Sequence, residues 1–148
     1  ASVLMKDLNL DVSSQAADLG KRLDSLNTEI ADTVVAIPQE DRKLVTGHES
    51  MGYFAQRYGF KLVGVIIPSL STQAGVSAAN LAALKKAIQD NQVKAVFTEL
   101  GTSPAAAKAI GDETGVKVVE LTTHVLPGDG SYFTFLRNIA GVITNALK

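Results

Sequence analysis

The chain contains no cysteine. Disulfides, thiolate metal sites and thiol nucleophiles are therefore excluded; the absence is compatible with an oxidising compartment without requiring one. Charge of one sign is also lacking: the formal net charge is −1, with acidic and basic residues intermixed. Such a surface offers no basic patch to a nucleic-acid backbone and no cationic helix to a lipid surface, so neither nucleic acid nor direct membrane insertion is expected. No apolar run approaches transmembrane length. The start, Ala1 to Asp11, lacks the basic flank and long apolar stretch of a signal peptide, which implies either a cytoplasmic protein or a targeting segment that is missing from the sequence. There is no GxGxxG and no Walker loop, so nucleotide binding has no support. Internal repeats and low-complexity segments are absent as well.

What is present is the composition of an ordinary globular protein, with 46% hydrophobic and 20% charged residues. A chain of 148 residues is long enough to bury a real core as one domain with an extra element at one end. From Ala16 to Ile37 the apolar residues Leu19, Leu23, Leu26, Ile30, Val34 and Ile37 fall at intervals of three and four, which predicts an amphipathic helix stopped by Pro38. At about 1.5 Å per residue it would run roughly 33 Å. It is either a packing helix on one face of a sheet or a strut that reaches beyond the domain.

After Pro38 short β-rich runs alternate with helical ones. Strands are predicted at Lys43 to Thr46, Lys61 to Ile67, Lys94 to Thr98 and Val116 to Glu120. Helices are predicted at Ser50 to Tyr58, Ser77 to Asn91, Ser103 to Thr114 and Tyr132 to Leu147, with Gly59 and Gly115 as stops, Ser77 and Ser103 as N-caps and Pro104 at a first helical position. The alternation implies an α/β fold: a three-layer α/β/α arrangement around a four-stranded parallel sheet, preceded by the long helix.

In an open parallel sheet ligands bind beyond the carboxyl ends of the strands. Behind the four strands come Gly47-His48-Glu49-Ser50, Pro68-Ser69-Leu70-Ser71-Thr72, Glu99-Leu100-Gly101 and Leu121-Thr122-Thr123-His124. Both histidines of the chain thus fall on one edge. A single histidine after a strand is more often a capping residue than a ligand, but two on one edge point to a transition metal, which neutral imidazole holds at about 2.0 to 2.1 Å. Glu99 is either the acceptor that orients one ring or a further ligand. Two histidines and a carboxylate leave a tetrahedral or octahedral site short, so the other ligands are expected from water or from a part not present here. If both rings ligate one ion, their nitrogens must converge to about 3 to 4 Å.

Two other readings concern the same edge and its neighbourhood. Gly128-Asp129-Gly130-Ser131 resembles a phosphate-cradling turn, but a tight turn ending in a Ser131 N-cap explains it as well. Ser50, Glu99 and His124 follow the chain order nucleophile, acid, histidine of an α/β-hydrolase. The nucleophile elbow fails, because His48 stands where the strained turn needs glycine, two residues before the serine.

The run from Lys43 through His48 to Gly59 resembles the strand, ligand and helix that open the C-terminal lobe of the zinc/manganese solute-binding proteins of ABC importers. The likeness continues through Val65 to Ser77, with its Pro-Ser-x-Ser-Thr core at Pro68 to Thr72, then Ala95 to Glu99, and ends with Gly130 to Phe133 and the last helix. Residues 1–38 look like an N-terminal segment and the helix that joins the two lobes, and 39–148 like the C-terminal metal-binding lobe, with the N-terminal lobe absent. What the resemblance implies is a single Zn2+ or Mn2+, carried as transported ligand, held across a cleft by two side chains from each lobe. His48 matches a ligand position; His124 falls where the family usually has aspartate, and the extra imidazole favours zinc over manganese. Two ligands are expected to hold zinc weakly, so that this chain alone can stand empty. The implied partners are an ABC importer permease and the missing lobe. The implied location of the full-length protein is extracytoplasmic, in the periplasm or lipid-anchored at the cell surface, and the implied role is not enzymatic. An adhesion module is a further alternative that family members on cell surfaces suggest.

Overall fold

In the computed structural model, which describes residues 2–67 and 77–148, four strands alternate with helices after a helical N-terminal segment. In chain order the elements are α1 (Ser2–Leu8), α2 (Ser13–Val35), a 3-10 turn (Gln39–Asp41), β1 (Lys43–Thr46), α3 (Gly52–Tyr58), β2 (Lys61–Val65), α4 (Ala78–Asp90), β3 (Ala95–Thr98), α5 (Pro104–Thr114), β4 (Lys117–Glu120) and α6 (Tyr132–Leu147). The sheet has the order β2-β1-β3-β4 and every pairing is parallel. The Pro68 to Thr72 stretch of the family likeness lies outside the described residues.

Successive side chains of a strand point to opposite faces, and the core divides accordingly. Leu44, Ala95 and Phe97 face a layer made by Leu26, Ile30 and Val34 of α2, Phe54 of α3, and Ile139, Ile143 and Leu147 of α6. Val45 and Val96 face Leu84 and Ile88 of α4 and Ala107 and Ile110 of α5. Covering both faces is what lets a parallel sheet exist, and each large side chain buried there contributes about 1.5 to 3 kcal/mol. The expected three-layer architecture is the one found.

Local chemistry sets the element ends. The hydroxyls of Ser77, Ser103 and Ser131 accept from the amides of Asn80, Ala106 and Thr134 at 3.1, 3.4 and 3.3 Å, capping α4, α5 and α6. Gly59 and Gly115, both at φ 72°, turn the chain out of α3 and α5 in the left-handed conformation that glycine adopts without a Cβ penalty. The helix expected from Ser50 starts at Gly52, because the Ser50 amide instead donates to the His48 carbonyl at 2.8 Å and closes a turn. The second strand ends at Val65, yet the amides of Ile66 and Ile67 still donate to the carbonyls of Thr46 and Gly47, each at 2.9 Å.

The long helix α2 starts three residues before the expected position and ends at Val35, with Ile37 buried just beyond it. Its apolar stripe is covered only in part. Leu26, Ile30 and Val34 are at most 2% exposed, whereas Leu19 and Leu23 are 46% and 38% exposed. The last turns are pinned to α6 by Arg137, whose Nε and Nη2 donate to the Glu29 carboxylate at 2.8 Å. The helix α1 was not anticipated from the sequence, and none of its residues is buried. No helix among the described residues is long and apolar enough to cross a membrane.

Candidate functional site

The sheet order puts the ends of β1, β3 and β4 side by side, and this brings residues far apart in sequence onto one edge. After β1 the chain turns at His48, whose carbonyl accepts from the Thr46 hydroxyl at 2.7 Å. Gly47 makes this turn fit: a Cβ there would stand 2.1 Å from the Thr102 hydroxyl and 3.2 Å from the Glu99 amide. After β3, Glu99 and Thr102 close a second turn, the Glu99 amide donating to the Thr102 hydroxyl at 3.0 Å and the Thr102 amide to the Glu99 carbonyl at 2.9 Å. After β4, the Leu121 amide donates to the Thr98 carbonyl at 2.7 Å and leads the chain towards Thr123 and His124.

The Glu99 side chain is fully buried, and among the described residues four donors surround its two oxygens. His48 Nδ1 lies 2.7 Å from Oε2, and the His48 amide donates to the same oxygen at 3.2 Å. The Ser50 hydroxyl donates to Oε1, and the Thr123 hydroxyl donates to Oε1 at 2.9 Å. A carboxylate offers about four lone-pair directions. These four contacts occupy all of them.

The imidazoles of His48 and His124 converge. Their rings stack with centroids 4.8 Å apart at 21°, and the two Nε2 atoms are 3.0 Å from one another. On a tetrahedral zinc, nitrogens bound at about 2.0 to 2.1 Å are roughly 3.3 Å apart, so opening the pair by a few tenths of an ångström fits it to one ion. Among the described residues no group of three or more histidine, aspartate or glutamate side chains is placed to hold a metal. The pair also lies outside the two hollows beside β4, of about 520 and 750 Å3, neither of which is lined by a histidine. Among the described residues this edge offers two nitrogen donors.

The catalytic alternative lacks its central contact. Ser50 gives its proton to Glu99, while His124 engages Thr123 and His48, and no hydrogen bond joins Ser50 to His124 among the described residues. The Gly128 to Ser131 segment is a turn closed by the Gly130 amide on the Pro127 carbonyl at 2.8 Å. Asp129 ties this turn to the start of α6. Its carboxyl is held below the usual range by hydrogen bonds from the Thr134 hydroxyl and the Ser131 amide. Sequence reasoning missed Thr123, Thr102 and Gly47 as parts of the site. The only signal was their position behind a strand, which many hydroxyl and glycine residues share.

A parallel sheet covered by helices on both faces, with polar side chains on its carboxyl edge, is the architecture of a doubly wound α/β domain. Residues 5–146 match the model of the ZnuA family, described as zinc-uptake complex component A, periplasmic, and the chain belongs to that family. It is similar to the manganese-binding lipoprotein MntA of Bacillus subtilis (strain 168), with 30% identity over 125 residues, 78% of this chain and 40% of the relative. The zinc-binding protein TroA of Treponema pallidum (strain Nichols) is 29% identical over 121 residues, 82% of this chain and 37% of the relative. The solved structure of periplasmic TroA from that organism superposes with a TM-score of 0.77 at 25% identity, over 91% of this chain and 52% of that one. The laminin-binding protein Lbp of Streptococcus pyogenes superposes with a TM-score of 0.78 at 26% identity, over 92% and 53%. The chain therefore spans about two fifths of these curated relatives and about half of these solved chains.

Proposed function

We propose that this chain is the C-terminal, metal-holding lobe of an extracytoplasmic solute-binding protein that delivers a divalent transition metal to the permease of an ABC importer. The observation that carries the reading is the 3.0 Å approach of the two Nε2 atoms, a few tenths of an ångström short of the spacing that two nitrogens take on one tetrahedral ion. His48 and His124 are the ligands contributed by this lobe, and Glu99 orients them. The remaining ligands come from a second lobe of the same protein, outside these residues. Family membership and the likeness to proteins named for zinc and manganese support the cargo class. Two imidazoles rank zinc above manganese, by both nitrogen preference and the general order of divalent affinities. No bond is made or broken in this role, and the Ser50 to Glu99 contact supports that over hydrolysis.

Calorimetric titration with Zn2+ tests the assignment. The chain should bind one ion, well short of the about 10 to 16 kcal/mol that four preorganised ligands give, with Mn2+ weaker. Either His48→Ala or His124→Ala should abolish the binding. Tight one-to-one binding retained in the double variant would overturn it.

A further inference from the structure

The two histidines are not oriented independently. His48 Nδ1 faces the Glu99 carboxylate, which only accepts, so Nδ1 carries the proton and a neutral His48 presents a bare Nε2. Among the described residues His124 has no hydrogen bond or ion pair with a carboxylate. Its Nδ1 lies 2.8 Å from the Thr123 hydroxyl, and that hydroxyl has a single proton, already donated to Glu99 at 2.9 Å. What remains on the Thr123 oxygen is acceptor capacity. His124 must therefore supply the proton from Nδ1, which leaves its Nε2 bare as well. The result is two unprotonated Nε2 atoms 3.0 Å apart. In isolation that arrangement is repulsive; with a cation between them it is a pair of donors.

We infer that Thr123 is a positioning residue: its hydroxyl relays the Glu99 carboxylate to His124, so that one buried acid sets the tautomer of both imidazoles. Ser50 and the His48 amide complete the acid's acceptor set and hold it still. The competing arrangement turns the Thr123 proton towards His124 Nδ1 and lets His124 Nε2 donate to His48. It would leave an oxygen facing the Glu99 carboxylate at 2.9 Å without a proton between them. The electrostatics of the buried acid select against it. Outer partners of this kind are worth about 10 to 100-fold in metal affinity.

The inference rests on the metal-holding reading only for affinity; the tautomers can be read without metal. The experiment is 15N nuclear magnetic resonance of the imidazoles in the metal-free chain at pH about 9, where imidazole is neutral, together with Zn2+ titration of the same samples. In the wild type both histidines should show protonated Nδ1. Thr123→Val keeps the side-chain shape but removes the relay: His124 should move towards protonated Nε2, His48 should stay, and zinc affinity should fall about tenfold. Thr123→Ser should restore both properties. A His124 that holds protonated Nδ1 in Thr123→Val, or that shows protonated Nε2 in the wild type, would overturn the relay. Failure of the wild type to bind zinc, with the tautomers as expected, would instead sink the metal reading and leave the relay standing.

Discussion

A methyl group at Gly47 would strike the support of the site. The Cβ of Gly47→Ala would sit 2.1 Å from the Thr102 hydroxyl and 3.3 Å from Glu99 Oε2. The backbone at Gly47 is not among the positive-φ positions, so the cost is steric and not conformational. Thr102 is β-branched and stiff, and its hydroxyl accepts from the Glu99 amide, so rotating away sacrifices that bond, worth about 1 kcal/mol. Adding the overpacking itself, about 1 to 3 kcal/mol, gives a loss of about 2 to 4 kcal/mol. For a chain of this size that lowers Tm by roughly 4 to 16 °C. A thermal-melt cycle isolates the mechanism: Thr102→Ala removes the struck atom, so the Gly47→Ala, Thr102→Ala double variant should be no less stable than Gly47→Ala alone. Strictly additive losses would refute the clash. On the proposed function zinc affinity should fall as well, because the displaced Glu99 bonds His48 directly and Thr123, which in turn contacts His124.

Three further outcomes follow from packing and charge. Ile30→Ala should cost about 2 to 5 kcal/mol in denaturant unfolding, since Ile30 is 1% exposed, whereas Leu19→Ala on the same stripe should stay within about 0.5 kcal/mol. Amide exchange should accordingly be slower in α2 from Leu26 to Val34 than from Ser13 to Leu23. The Arg137 hydrogen bonds hold the Glu29 carboxyl below its ordinary value of 4.5, so the pair stabilises the fold above that pH and the contribution is lost as pH falls through the lowered value. The Tm gap between wild type and Glu29→Gln should be present at neutral pH, close in acid, and shrink in high salt.

Much of the fold was legible because its signals are local. Val45, Val96 and their neighbours form the short apolar runs of a doubly buried strand, and Ser77, Ser103 and Ser131 are caps whose effect depends on the next three residues. The carboxyl-edge rule then placed both histidines together without any knowledge of strand order. The support of the site was not legible, because it is built from pairs distant in sequence: Thr123 reaches Glu99 across 24 residues and His48 reaches it across 51. Only the order β2-β1-β3-β4 makes those neighbours, and periodicity does not encode it. Nor could the pattern tell Leu19 and Leu23 from Ile30. All three share one stripe, and burial depends on whether α6 lies opposite.

The register of the sheet carries a last consequence. Thr46 pairs with Phe97 and Phe97 with Val119, so the loops that follow leave from matched heights. A slip of one residue between neighbouring strands would move a loop by about 3.3 Å and turn its side chains to the other face. His48, Glu99 and Thr123 could not then meet. On the proposed function, zinc stoichiometry becomes a proofreading assay for the sheet: the bound fraction counts the molecules in which three strands settled in step.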